Sequence, residues 1–457
     1  MSHEYRTVSF WLDSLAESGV DDLTPRPALP GDLLVDVAIV GGGLTGLWTA
    51  YYLLARDPGL RVAVLEKEIA GFGASGRNGG WCSALFPAST TALERRHGLA
   101  GALAMRQAMI DTVDEVGRVT DAEGIDCDYL KGGTIAYARS RPQLIRARAE
   151  TEEAARYGMD HVTFNADTAT GARGSLGFTV DPACARLHPA KLVRGVARTV
   201  ERLGGTIYEQ TEVLGWGSHS VLTNRGTVTA DSVVVAMEGY GAALPQGRRN
   251  ILPLYSLMIA TEPLTDDAWR QIGIEHGQTF ADYRHLLIYG QRTADNRFAF
   301  GGRGARYHWG SSIRSEYDRV PTVFEHLRKT LVDLFPQAAD AAITHRWGGP
   351  LGVPRDWHAH ASFDPVTRIA SAGGYVGDGL STTNLAGRTI ADLVTGRDTA
   401  LTRLPWVNHS SPRWEPEPLR FIGSNLGLLA MEIADAEERI TRHRSLAARV
   451  MAPLTGH

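Results

Sequence analysis

Short, wholly apolar runs alternate along the chain with longer segments whose apolar residues recur at helical spacing. Residues 35–40 (VDVAIV) are β-branched and almost entirely apolar, the pattern of a strand buried on both faces of a parallel sheet. Residues 44–56 follow as an apolar helix, closed by Asp57, Pro58 and Gly59, and residues 61–65 (RVAVL) form a second buried strand. Together they predict a compact βαβ unit. The stretch before it, 21–31, reads as an extended lead-in broken by prolines.

Further on the period changes. Residues 93–120 predict one or two helices, and 144–157 another with a charged outer face. Pro189 opens a helix (PAKLVRGVARTVERL) where its missing N–H costs little, and Gly204-Gly205 ends it. TIYEQTEVLGW reads as one strand, Asn224-Arg225-Gly226 as a hairpin turn, and DSVVVAM as a buried strand leading back. Residues 251–347 are strand-rich and interleaved with aromatics, which suits a separate sheet. RIASAGGY is then strand-like, GDGLSTTN a loop and LAGRTIADLVTG a helix. A helical extension is expected from about Leu419 to Val450, its apolar residues packing on the protein's own surface.

A chain of 457 residues exceeds one ordinary core, so two packed domains are expected. Apolar content of 43% and charged content of 21% are globular. A net charge of -4 lacks the basic excess of a nucleic-acid binder. The three cysteines, Cys82, Cys127 and Cys184, suit a reducing compartment better than a disulfide framework. Glu4, Arg6 and Asp13 interrupt the start, so no secretory h-region is visible. The greasiest stretch, 33–55, contains Asp36 and four glycines and reads as β-then-α rather than as a membrane span. A cytoplasmic protein without membrane contact is expected.

GGGLTG places Gly41, Gly43 and Gly46 at G-x-G-x-x-G spacing between strand and helix. The first glycine permits the tight turn, the second lets backbone approach a pyrophosphate, and the third lets helix and strand pack closely. The helix start offers N–H groups and partial positive charge to phosphates. Glu66 ends the second strand roughly 20 residues on, where an acid holds a ribose hydroxyl and disfavours a 2′-phosphate. This spacing does not separate FAD from NAD. The next segment, IAGFGASGRNGGW, packs five glycines with Ser75, Arg77 and Asn78. A flavin threading deep into a protein needs such a second close-approach loop; a plain NAD domain does not.

With SFWLD near the start and GGYVGDGLSTTNLAGRTIADL near the end, these motifs resemble the D-amino-acid oxidase and glycine oxidase group of FAD-dependent oxidoreductases. The likeness is strongest to the gamma-glutamylputrescine oxidase-like branch, and its anchors run from Ser9 to Leu393. The resemblance implies an α/β and α+β fold: a Rossmann-like FAD-binding domain, an interleaved antiparallel-sheet substrate domain and a helical C-terminal extension. The FAD-binding parts are expected at 31–92, 181–245 and 346–400. The substrate domain is expected at 93–180 (helical) and 246–345 (sheet), and the extension at 401–457.

The resemblance also implies site residues. Gly41, Gly43, Leu44, Thr45 and Gly46 would hold the pyrophosphate, and Glu66 with Lys67 the adenosine ribose. Gly73, Ala74, Ser75, Arg77, Asn78, Gly79 and Gly80 would line the flavin and its linker. Val213 would meet the adenine side and Ala236 the pyrophosphate. Gly374, Gly377, Asp378, Gly379, Leu380, Ser381 and Thr382 would reach the pyrimidine end of the flavin. Relatives that oxidise amino acids usually hold the carboxylate with an arginine after a Trp-Gly-type motif. Here RWGGPLGVPRDW puts Pro350 or Leu351 at that place, with Arg346 and Arg355 out of register. The departure favours a substrate whose amine is not next to a carboxylate.

Hydride transfer from an amine needs walls that exclude water, and aromatic walls also attract a cation. Candidates are Tyr255, Arg303, Tyr307, His308 and Trp347, with Arg303 foremost because FGGRG resembles the branch most closely. No metal is expected: His358 and His360 form an H-x-H pair without an acidic or cysteine partner and read as solvated loop residues. Non-covalent FAD is expected, since no cysteine follows Cys184 and no histidine lies between Gly71 and Trp81. The expected function is oxidation of a small-molecule amine with O2 as electron acceptor. A dehydrogenase using another carrier, a flavin hydroxylase and a non-catalytic FAD-binding protein remain alternatives. Oligomeric state is not legible.

Overall fold

The computed structural model describes residues 2–166 and 171–448, apart from the side chains of residues 2, 3, 303 and 305. The fold is α/β and α+β, built on two eight-stranded sheets. In the first, the strand Leu33–Val40 runs parallel to Val62–Leu65 on one side and to Thr227–Val235 on the other. Thr206–Tyr208 and Ile369–Gly373 extend it in parallel at either side. The burial of Ala38, Ile39, Ala63, Val64, Val233 and Val234 on both faces explains why these strands are continuously apolar. The helix Leu44–Arg56 covers one face and lies against Gly379–Val394. At Gly387 a Cβ would stand 2.6 Å from that of Trp48, so the close approach requires glycine.

The second sheet runs Ile343–Val353, Leu252–Thr261, Phe298–Ala305, Ile288–Arg292, Thr279–Asp282, Thr134–Ala138, Gly177–Asp181 and Thr163–Asn165. Its pairings are antiparallel except that Thr279–Asp282 runs parallel to Thr134–Ala138. The segment read from sequence as helical thus also supplies three strands. Behind this sheet a buried aromatic group, Phe280, Phe298, Phe300, Phe335 and Trp269, forms the second core.

Several elements differ from the sequence reading: within GDGLSTTN, read as a loop, the helix Gly379–Val394 already begins at Gly379, and His360 opens the strand His360–Asp364 rather than lying in a loop. The segment 206–216 is two strands, not one: the break holds Glu209, whose fully buried carboxylate binds Arg26 (2.9 Å), Arg194 (3.1 Å) and the amide of Ala70 (2.7 Å). A buried charge needs partners from several directions, and a regular strand does not supply them. His358 is buried rather than solvated, its ring 3.9 Å from that of His409. The last helix, Leu419–Thr441, does lie on the protein's own surface, but its apolar residues face outward. Among the described residues no helix is long and apolar enough to cross a membrane.

Candidate active site

A cleft of about 2280 Å³, its open mouth included, runs between the two sheets. It is lined by Glu66, Lys67 and Val213 and by Gly41, Gly43, Leu44, Thr45 and Ala236. Gly73, Ala74, Ser75, Arg77, Asn78 and Gly79 line it as well, as do Gly377, Asp378, Gly379 and Leu380. The structure therefore gathers most of the sequence-assigned cofactor positions around one space. Gly46, Gly80, Gly374, Ser381 and Thr382 stand just behind it. A Cβ at Gly46 would collide with the Gly41 carbonyl, and Gly80 turns at φ +66° against Leu187. The Gly374 amide donates to Glu238 Oε1 (3.1 Å), the Ser381 hydroxyl to the Ser83 carbonyl, and the Thr382 hydroxyl to the Asp378 carbonyl (2.6 Å).

The glycine turn is shaped by its own backbone. Gly41 has φ +108°, where a Cβ would lie 2.6 Å from the Ala236 carbonyl oxygen. The following helix has Gly43 as its N-cap, which has no side chain of its own, and its N-terminus lines the cleft. Within it, the Leu44 amide donates to Ser75 Oγ (2.8 Å), and Thr45 shares a hydrogen bond with Tyr375 (3.0 Å). Glu66 accepts from the amides of Gly42 (2.8 Å) and Glu68 (2.9 Å). Burial, with Glu209 and Glu68 nearby, still pushes its carboxyl up to about 7.

The second loop is held from outside. Ser9 donates to the Gly76 carbonyl (2.7 Å), Trp347 Nε1 to that of Arg77 (2.7 Å), Trp11 Nε1 to that of Asn78 (2.7 Å) and Gln291 Nε2 to that of Gly79 (2.6 Å). Four consecutive carbonyls are thus tied to the protein body by four remote side chains. Ser9 also caps the helix Phe10–Glu17, which carries Trp11 into place.

The cleft ends on the second sheet, at Ser256, Leu287, Tyr289, Ile313 and Gly349 to Leu351, with Trp81 beside them. Trp81 stacks on Tyr289 at 6.3 Å between ring centroids, and Tyr289 shares a hydrogen bond with Ser256 (2.8 Å). Both described cations of the lining are ion-paired: Arg77 with Asp318 (2.6 Å) and Lys67 with Glu212 (2.7 Å). Arg77 also lies over the Phe72 ring, 4.5 Å from its centroid. Arg346 and Arg355 are elsewhere, the latter on Glu415 (3.1 Å).

Four of the substrate candidates sit outside the lining. Tyr255 is buried, its hydroxyl accepting from the Arg314 amide (3.4 Å). His308 stacks on Tyr317, and Tyr307 donates to Glu417 (2.7 Å). Trp347 acts on the loop backbone. Arg303 pairs by backbone with Ser256; its side chain lies outside the described residues. Sequence reasoning did not single out Trp81, Tyr289, Tyr240 or Glu238. Trp81 had a signal, since it directly ends the second loop. Glu238 had none, because its place comes from the tertiary fold. Burial pushes its carboxyl up to about 7 against hydrogen bonds from Tyr375 and Gly374, and its Oε2 is buried without a hydrogen-bond partner.

The lining fits a flavin dinucleotide: a turn at Gly41 where no Cβ fits, a helix start whose N-cap Gly43 has no side chain, a buried acid at Glu66 and an orphaned buried oxygen on Glu238. A family model described as FAD dependent oxidoreductase (DAO) matches residues 36–393. Gamma-glutamylputrescine oxidoreductase of Escherichia coli is 32% identical over 394 residues, covering 83% of this chain and 89% of that protein. Glycine oxidase of Pseudomonas aeruginosa is 25% identical over 397 residues, covering 81% and 98%. The solved glycine oxidase of Bacillus cereus superimposes with a TM-score of 0.66 at 20% identity, over 84% of this chain and 100% of that one.

Proposed function

The chain belongs to the DAO family of FAD-dependent oxidoreductases, and from that premise we propose that it is an amine oxidase whose substrate carries no carboxylate next to the amine. The reading rests chiefly on one observation: each described cation lining the cleft is already neutralised by its own carboxylate, Arg77 by Asp318 and Lys67 by Glu212. A substrate carboxylate brought here would lose water and find no free cation among the described residues of the lining, which is costly. Pro350 and Leu351, at the place where relatives that bind amino acids carry an arginine, line the cleft as apolar groups. E. coli gamma-glutamylputrescine oxidoreductase, by its name, acts on an amine of this general kind.

Bound FAD supplies the hydride acceptor for the carbon bearing the amine. The chain's residues hold and orient. Glu66 and Val213 would hold the adenosine end of FAD, the helix start at Gly43 would face its pyrophosphate, and residues 73–79 and 377–380 would flank its flavin. Trp81 and Tyr289 form an aromatic wall that attracts the ammonium form before its proton is lost, while Leu287 and Ile313 exclude water. Arg303 pairs by backbone with Ser256, a residue of the lining. The imine is hydrolysed to an aldehyde plus ammonia or a smaller amine, and O2 is reduced to H2O2. No cysteine or histidine occurs in the described lining, which supports non-covalent FAD.

Anaerobic addition of primary and secondary amines to the holoprotein should bleach the flavin absorbance, and admitting air should restore it with one H2O2 per turnover. Bleaching without peroxide on aeration would reassign the protein as a dehydrogenase that serves another carrier.

A further inference from the structure

The last helix is amphipathic in the reverse sense. Leu419–Thr441 is about 35 Å long at 1.5 Å per residue. Its buried residues are Arg420, Ala434 and Glu438. Arg420 pairs with Glu417 (3.0 Å), while Glu438 is gripped by Arg146 (2.7 Å) and His285 (3.0 Å). Asp435 accepts from the amides of His285 (2.7 Å) and Leu286 (2.9 Å). The helix is therefore tied down through polar groups. Its other face carries Leu419, Ile422, Leu426, Leu429 and Ile433, which are 47% to 62% exposed, and Ile440 at 78%. A helix with water as its only outer neighbour carries the opposite arrangement.

The stripe also has the register of a helix–helix seam. Leu419, Ile422, Leu426, Leu429, Ile433, Ala436 and Ile440 alternate by three and four residues, the a/d period of helices that pack side by side. The pattern is self-complementary. A two-fold axis between residues 427 and 428 sets Leu426 opposite Leu429, Ile422 opposite Ile433 and Leu419 opposite Ala436, each pair equidistant from the axis. At the N-terminal end, exposed Trp309 and Phe421 lie 5.6 Å apart between ring centroids and widen the apolar surface. A helix lying on anionic lipid carries Lys and Arg beside its stripe; this one carries Glu432 and Glu437, with Arg439 as the outward cation.

We propose that this stripe is the interface of a two-fold symmetric homodimer, in which the last helix of each copy lies antiparallel against that of its partner. The full-length holoprotein should then run as a dimer by size exclusion with light scattering. The double variant Leu426→Glu/Ile433→Glu should run as a monomer with its flavin spectrum intact, because neither residue lines the cleft. Mixing Ile422→Cys chains with Ile433→Cys chains under mild oxidation should give a cross-linked pair that neither gives alone; the native cysteines are buried. A wild-type monomer at micromolar concentration would overturn the proposal. So would a dimer that survives both glutamates, or a wild-type monomer that sediments with phosphatidylglycerol vesicles.

Discussion

The glycine turn at 41–46 and the loop at 73–80 line the same cleft, yet different parts of the chain determine their shapes. The turn is fixed by what it lacks: no Cβ fits at Gly41 or Gly46 without striking backbone of the adjacent strand and turn. The loop is fixed by what reaches it, since Ser9, Trp11, Gln291 and Trp347 each hold one of its carbonyls. These four donors come from the N-terminal helix and the second sheet. The loop at 73–80 is thus positioned by the N-terminal helix and the second sheet, whereas the glycine turn is shaped by backbone of the first sheet and of the turn itself. A defect in the first region should abolish cofactor binding outright; a defect in the second should loosen it by degrees.

The largest effect is expected at Gly46. Gly46→Val forces the turn apart, and the purified protein should carry essentially no flavin, read as the ratio of flavin to protein absorbance. Next come the indole donors. Trp347→Phe and Trp11→Phe keep the ring but each strand one buried carbonyl, costing about 1–3 kcal/mol. Each should weaken FAD by roughly 5- to 150-fold, at 1.4 kcal/mol per tenfold, and the pair should be non-additive because adjacent residues of one loop move together. Equal losses that simply add would remove the idea of a loop held as a unit.

Asp318→Asn tests the cation balance. It leaves Arg77 without its carboxylate, so carboxylate-bearing amines should gain kcat/KM relative to plain amines, while flavin content falls little. An unchanged ratio would show that Arg77 does not face the substrate.

The smallest effect concerns pH. Glu66 has its carboxyl raised from 4.5 to about 7 by burial. The folded apoprotein thus holds this proton more tightly than the unfolded chain does. Stability from this group is fully present below 4.5 and is lost as pH rises toward about 7. A ribose hydroxyl donated to Glu66 favours the ionised form, so FAD binding should release a proton and tighten as pH rises through about 7. In Glu66→Gln, titration calorimetry should show weaker binding with that pH dependence reduced.

The same contrast explains what could be read from the sequence. The βαβ unit, Gly41 to Gly46 and Glu66 were legible because backbone geometry and spacing within thirty residues define them. The loop at 73–80 was legible through its glycines, but its four anchors were not, because they lie up to 270 positions away. Trp347 was singled out for the substrate and turns out to hold the Arg77 carbonyl. Tyr255 and Tyr307 likewise face neighbours behind the cleft, since alternation along a strand fixes a face only once the register is known. The outward stripe of the last helix was visible as a period, but no period says which side meets the body.

The most direct test of the account uses a matched pair, n-butylamine and norvaline, the latter being the same amine with a carboxylate on the reacting carbon. Anaerobic stopped-flow reduction of the flavin by butylamine and by each enantiomer of norvaline compares them without regard to the acceptor. If every described cation of the cleft is spent on its own carboxylate, butylamine should reduce the flavin at least about 100-fold more efficiently, a difference near 2.7 kcal/mol. Faster reduction by either norvaline enantiomer would contradict the account.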